Sequence, residues 1–143
     1  LTKFKVCDFG SASINNKCNK ISTPLPYKSP ELIENKKICN ENDLWSLGCI
    51  LWEILILDDL LFDFNDEKQL LKYQKELCSS KENLINLLNK KLENNENEDI
   101  FFNYNYSCEI KEILSTLINI DINERSKIYY YKTLNSRSSS PSY

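Results

Sequence analysis

Apolar residues recur along much of this chain at spacings of three and four, which is the period of an amphipathic helix. The clearest case is residues 107–118, where Ser107 can cap a helix whose apolar positions are 110, 113, 114, 117 and 118. Similar stripes predict helices over residues 66–78 and 80–92. These three segments favour a fold in which helices pack side by side.

Residues 44–57 differ from the other stripes because they are apolar on nearly every face. Asn42 or Asp43 can cap this stretch, which we expect to be the central buried helix. It is shorter than the ~20 residues that a bilayer requires, and Glu53 interrupts it. The sequence therefore predicts a core helix here and no membrane partner.

The rest of the chain is more polar. Alternation over residues 4–7 predicts a short strand, and residues 29–35 and 126–134 predict short helices. The serine-rich residues 135–143 are predicted to be a disordered tail. The expected fold class is therefore mainly α, with one short strand followed by five or six helices.

Composition excludes several classes of function. The chain has 143 residues, a formal net charge of −3 and no histidine, which excludes Ser-His triads and His-ligated zinc and argues against nucleic-acid partners. Its six cysteines contain no C-x-x-C pair, and no signal peptide opens the chain. We therefore expect reduced thiols and an intracellular protein, cytoplasmic or nuclear.

Four short motifs follow one another along the chain. They are D-F-G at residues 8–10, S-P-E at 29–31, D-x-W-S-x-G at 43–48 and D-x-x-x-R at 121–125. Each alone is weak, because a turn acid, a helix start or a surface charge explains it equally well. As an ordered set they resemble the protein kinases, with residues 1–134 as part of a kinase domain. The resemblance implies a C-terminal lobe without its N-terminal lobe.

The D-F-G resemblance implies a nucleotide and metal site for ATP and Mg²⁺. Asp8 is then the candidate magnesium ligand, because a hard cation prefers carboxylate oxygen. Phe9 is expected to pack into the core and orient that acid, and Gly10 to let the backbone turn. Only two glycines occur in the chain, Gly10 and Gly48, which suggests local demands that other residues cannot meet.

The other three motifs imply structural roles. Glu31 and Arg125 are expected to form a buried ion pair that joins the activation segment to later helices. Arg125 is suited to this because a planar guanidinium can bind a carboxylate through two donors. Asp43, in the motif that includes Trp45 and Gly48, resembles the acid that hydrogen-bonds the catalytic loop.

The activation segment, implied by the resemblance, runs from Asp8 to the Ser29-Pro30-Glu31 motif. Ser22, Thr23 and Tyr27 are possible phosphorylation sites there. Tyr27 fits serine/threonine kinases, and Ser29, Pro30 and Glu31 are similar to the group that holds the cyclin-dependent, MAP, glycogen-synthase and splicing-related kinases.

Two residues depart from that group's pattern. Lys28 stands where the group usually has Arg. Pro24 stands seven residues before Glu31, where a threonine is expected, and Thr23 precedes it.

Other motifs that the family resemblance implies do not occur in the 143 residues. There is no G-x-G-x-x-G, no V-A-x-K and no H-R-D, and the chain begins with Leu1 rather than Met. We therefore expect a fragment of an ATP-dependent serine/threonine kinase that acts on protein substrates but is inactive by itself, its regulatory subunit unknown. The alternatives are a pseudokinase or scaffold built on a kinase C-lobe, and an unrelated helical interaction module.

Overall fold

A computed structural model describes residues 5–13, 22–56, 59–93 and 104–130. Six α-helices account for most of these residues. They are α1 (Pro30–Asn35), α2 (Glu41–Ile56), α3 (Glu67–Leu77), α4 (Lys81–Glu93), α5 (Tyr104–Leu117) and α6 (Ile122–Ser126). Short 3-10 helices at Leu25–Tyr27 and Lys127–Tyr130 precede α1 and follow α6. The expectation of a mainly helical fold is confirmed.

The predicted strand is wrong within the described part of the chain. Residues 5–9 have no regular structure, and all of residues 5–13 are exposed. A strand needs a neighbouring backbone to hydrogen-bond with, and the described residues present none to this segment. The predicted serine-rich tail, residues 135–143, lies outside the described residues.

Capping side chains mark where two of the helices begin. Asp66 precedes α3 and accepts hydrogen bonds from the backbone N–H groups of Lys68 (3.0 Å) and Gln69 (2.9 Å). Asp121 caps α6 in the same way, accepting from the N–H of Asn123 at 2.8 Å. The last predicted helix, over residues 126–134, is observed in part: Ser126 ends α6, and a 3-10 helix over Lys127–Tyr130 follows it directly. Residues 131–134 lie outside the described residues.

The predicted start of the central helix is also wrong, by two or three residues. The helix α2 already begins at Glu41, because the N–H groups of Asn42 and Asp43 donate to the carbonyls of Cys39 and Asn40. Asn42 and Asp43 therefore lie in its first turn and do not cap it. The helix α5 likewise begins at Tyr104, ahead of Ser107.

The core forms where α2 meets α5. One face of α2 is buried. Its side chains are those of Trp45, Cys49, Trp52 and Ile56, which are spaced four, three and four residues apart. The facing residues of α5 and the turn after it are Leu114, Leu117 and Ile118. Gly48 lies between them, and a Cβ atom there would come within 2.9 Å of the Leu117 Cβ and 2.7 Å of the Ile118 Cδ1. The two helices can approach this closely only because residue 48 has no side chain.

The opposite face of α2 remains uncovered by the described residues. Leu47, Ile50 and Ile54 are 50%, 46% and 54% exposed, and their spacing places them on one stripe of the helix. No helix in the described ranges is long and apolar enough to cross a bilayer. We call Leu47, Ile50 and Ile54 the exposed α2 stripe.

The cysteines in the described part of the chain are free thiols. Burial, together with nearby Glu53 and Cys78, raises the pKa of Cys49. Burial also raises the pKa of Cys78 to about 12. Because the thiolate is the reactive form, these two side chains act as small apolar groups of the core.

Candidate functional site

The Asp8-Phe9-Gly10 segment forms a tight, solvent-exposed turn. Asp8 has a positive φ of 62°, a left-handed conformation that Asp tolerates better than most residues. Its Oδ1 accepts a hydrogen bond from the Gly10 N–H at 3.4 Å, and the Ala12 N–H donates to the Phe9 carbonyl at 3.0 Å. The carboxylate of Asp8 thus points to solvent, with one oxygen held towards the backbone.

One expectation for this turn is wrong in the structure. Phe9 is 68% exposed and does not enter the core, because no described helix packs against residues 5–13. The backbone does turn at Gly10, as expected, but the positive φ angle of this segment falls on Asp8. A Cβ at Gly10 would lie 3.4 Å from the Asp8 Oδ1, an ordinary contact.

Glu31 and Arg125 meet in the interior although 94 residues separate them in sequence. The Nη2 of Arg125 lies 2.6 Å from the Oε2 of Glu31, and their side chains are 0% and 8% exposed. The Nη1 of Arg125 donates to the Glu41 carbonyl at 2.8 Å, and the guanidinium carbon lies 5.4 Å from the Trp45 ring centroid. Arg125 therefore joins α1, α2 and α6 at one point.

The ion pair controls the acidity of Glu31. Burial alone would raise its pKa, but the hydrogen bond and positive charge of Arg125 outweigh burial and lower the pKa below its usual value. The pKa of Glu41 is also lowered, first by a backbone hydrogen bond. Both carboxyl groups are therefore ionised near neutral pH.

Asn42 is a member of this cluster that the sequence analysis did not assign to the site. Its Nδ2 donates to the Ser29 Oγ at 2.8 Å and to the Glu31 Oε1 at 2.5 Å, while its Oδ1 accepts from the Cys39 N–H at 2.8 Å. Both carboxylate oxygens of Glu31 thus have separate donors. In the sequence Asn42 looked only like a helix cap, since nothing local indicates a partner 11 residues away.

Residues 27–29, just before α1, are held by side chains of two other helices. The Ser46 Oγ of α2 donates to the Tyr27 carbonyl at 3.1 Å. The Gln74 Nε2 of α3 donates to the Lys28 carbonyl at 2.8 Å. Ser29, which is 1% exposed, is bonded to Asn42 of α2. Three consecutive residues are thereby fixed from the α2 and α3 sides.

A set of ion pairs supports the same contact between α1 and α3. Glu67 pairs with Lys28 at 2.9 Å and Lys36 at 3.3 Å. Glu34 pairs with Lys75 at 2.7 Å. These pairs are exposed enough to contribute little stability individually, about 0–1 kcal/mol, but they favour one orientation of α3.

The remaining predicted residues occupy different environments. Thr23 and Tyr27 are partly buried, and Pro30 is buried in the first turn of α1. Burial raises the pKa of Tyr27, and so does the neighbouring Glu53. Asp43 is exposed, and its side chain makes no hydrogen bond within the described ranges.

Trp45 anchors the site to the core. Its ring is fully buried and stacks on Phe62 with centroids 5.4 Å apart. Phe62 also contacts Tyr73 of α3, whose ring meets it edge-on with the two centroids 6.1 Å apart. The guanidinium, Trp45 and α3 thus form one packed unit around residues 27–31.

The helical fold, and the contact that joins the S-P-E and D-x-x-x-R motifs through Glu31 and Arg125, are the structural evidence on the protein's family. A profile described as the protein kinase domain matches residues 2–134, and the chain therefore belongs to the protein kinase family. The helices described above correspond to part of such a domain.

Individual relatives match over shorter stretches. The chain is 43% identical over 60 residues to serine/threonine-protein kinase Nek3 of Mus musculus, covering 38% of this chain and 12% of that protein. It is 41% identical over 71 residues to serine/threonine-protein kinase Nek5 of Homo sapiens, covering 46% and 10%. It is 36% identical over 75 residues to homeodomain-interacting protein kinase 4 of Mus musculus, covering 50% and 12%. The matched segments span about a tenth of these relatives' length, and no solved structure matches the chain.

Proposed function

We propose that this chain supplies the magnesium-binding acid and the peptide-binding surface of a serine/threonine protein kinase that transfers phosphate from ATP to proteins. The observation that supports this most is the buried contact of Glu31 with Arg125. That contact fixes the end of the activation segment against α2 and α6, where the kinase motifs require it.

Asp8 is the proposed ligand of Mg²⁺. Its carboxylate is exposed, and no Lys or Arg of the described ranges pairs with it, so it is available to a hard cation. The described residues hold no cluster of three or more acidic, Cys or His side chains that could bind a metal unaided. We therefore assign Asp8 as one ligand among several, with ATP phosphate oxygens among the rest. Bound Mg²⁺ would neutralise the charge on the phosphates.

The residues before and at the start of α1 are proposed to position the protein substrate. Residues 22–29, including Thr23 and Tyr27, are the proposed surface beside which the substrate's serine or threonine lies. Ser29, Pro30 and Glu31 end this surface and attach it to the core through Asn42 and Arg125. We propose no catalytic base within the 143 residues, since they contain no H-R-D motif.

Cell location and subgroup are also proposals. We infer an intracellular protein, cytoplasmic or nuclear, from the reduced thiols. The proposed similarity to the cyclin-dependent, MAP, glycogen-synthase and splicing-related group rests on residues 8–12, on residues 29–33 and on Leu61-Phe62 with the helix that follows. The relatives named above carry two different kinase names, Nek and homeodomain-interacting, so they do not select one subgroup.

The test is phosphate transfer from radiolabelled ATP to a library of serine- and threonine-centred peptides. We expect transfer by the full-length product of the gene that encodes this segment, loss of transfer on adding EDTA, and none from the 143-residue chain. Asp8→Asn should abolish transfer, while the matched control Asp63→Asn, at an exposed position, should retain it. Full activity of Asp8→Asn would contradict the proposal.

The alternative is a pseudokinase or scaffold that binds partners through the same helices. The exposed α2 stripe of Leu47, Ile50 and Ile54 favours it, because a contiguous apolar face suits a protein partner. A full-length protein that binds partners through this stripe but never transfers phosphate would support this alternative.

A further inference from the structure

Gln74 is a buried amide at a position where α3 is otherwise apolar. It lies four residues after Leu70 and three before Leu77, on the side of α3 that faces the core, and is 0% exposed. An apolar residue would complete this stripe. A polar residue here therefore needs a specific explanation.

The amide is only half satisfied. Its Nε2 donates to the Lys28 carbonyl at 2.8 Å, but its Oε1 has no hydrogen-bond partner within the described ranges. A buried acceptor without a donor opposes folding, whereas an apolar side chain of similar shape has no such penalty. Leucine or methionine at position 74 would remove this penalty, but it would also remove the donor to the Lys28 carbonyl.

What Gln74 does provide is a fixed position for Lys28. The hydrogen bond from Gln74 to Lys28 joins residues 46 positions apart. It comes from the core-facing side of α3, where Gln74 is buried. The other bond between α3 and Lys28 is the Glu67 ion pair, and the Glu67 side chain is 40% exposed, so solvent weakens it. Tyr27 and Ser29 are held by α2. Gln74 therefore provides the buried restraint of this segment relative to α3.

We propose that Gln74 is a positioning residue for substrate binding: through the Lys28 carbonyl it fixes residues 22–29 at the distance from α3 that a bound peptide requires. This inference rests on the proposed kinase function of the segment. It assigns Gln74 to peptide affinity, not to phosphate transfer itself and not to the stability of the fold.

Gln74→Leu separates these roles. We expect the melting temperature to change little, because removal of the unsatisfied oxygen and loss of the donor to the Lys28 carbonyl have opposite effects on stability. In the full-length protein we expect the KM for the best peptide of the library to rise about fivefold to tenfold, with kcat and the KM for ATP unchanged. Gln69→Leu, the same replacement at an exposed position of α3, should change none of these values.

Hydrogen exchange of the same protein provides a readout that does not depend on activity. Amides of residues 22–29 should exchange faster in Gln74→Leu, with the core of α2 and α5 unchanged. Gln74→Met, which keeps the length of the side chain without its donor, repeats the test if the leucine variant is unstable.

The outcomes distinguish the two proposals. An unchanged peptide KM, or exchange at residues 22–29 equal to that of the wild type, would overturn the role of Gln74. A large loss of stability in both variants would also overturn it, because Gln74 would then be a structural residue. Wild-type protein without transferase activity would refute the kinase function, while faster exchange would still establish Gln74 as the residue that orders the segment.

Discussion

Replacement of Arg125 by methionine tests how the kinase-like site is held together. The change removes the donor to Glu31 at 2.6 Å, the donor to the Glu41 carbonyl at 2.8 Å and the charge above the Trp45 ring. It leaves the Glu31 carboxylate buried and without its counter-ion. Breaking a buried pair from one side costs about 3–5 kcal/mol, out of about 5–15 kcal/mol for a typical domain.

The assay is urea unfolding followed by tryptophan fluorescence, at high dilution so that association does not interfere. Trp45 lies under the guanidinium, so its emission also reports the local change. We expect the midpoint to fall with a similar m-value. The matched control is Lys127→Ala, which breaks the exposed pair with Glu124 and should cost no more than about 1 kcal/mol.

A double-mutant cycle with Glu31→Gln makes the reasoning refutable. Each single change leaves a partner buried, so the double change should cost less than the sum of the two, by about 0.5–3 kcal/mol. Additive effects, or an Arg125→Met cost as small as that of Lys127→Ala, would show that the two side chains do not form the contact described.

Three further predictions concern packing, pH and association. Gly48→Ala should destabilise the protein by about 1–3 kcal/mol in urea unfolding, because its Cβ would lie 2.9 Å from the Leu117 Cβ; an unchanged midpoint would mean that the helices separate without cost. The folded-state pKa of Glu31 is lowered, so its stabilising effect is present above the unfolded value of about 4.5 and disappears as the pH falls through the folded pKa. Unfolding midpoints measured across acid pH should therefore fall less steeply in Glu31→Gln than in the wild type, and parallel profiles would contradict this. Ile50→Lys combined with Ile54→Glu should reduce self-association in light scattering, because both side chains are about half exposed; equal association of variant and wild type would show that the stripe is not responsible.

Periodicity alone was enough to predict most of the helices. The helices over residues 66–78 and 80–92 are confirmed, as α3 and α4, because each has one apolar face that must be covered. The boundaries were less accurate. Asp66 caps α3 through bonds to the next turn, which is a local interaction and visible in the sequence. Asn42, by contrast, lies inside the first turn of α2 and bonds to α1.

The same distinction between local interactions and long-range contacts applies to the candidate site. The motifs named Glu31 and Arg125, but only through resemblance to a family, since no periodicity connects residues 94 positions apart. The D-F-G resemblance implied that Phe9 packs into the core, yet it is exposed. Burial depends on what faces a side chain, and the sequence of a turn does not contain that information.

By itself the sequence determined most of the helical segments, which face of each is apolar and which residues carry the family's motifs, because these properties depend on neighbours within a few positions. Only the tertiary structure decided that Gly48 lets α2 approach α5, and that Asn42 and Gln74 hold the segment before α1. The contacts of these three residues join parts of the chain that are distant in sequence, and they exist only after the helices have packed.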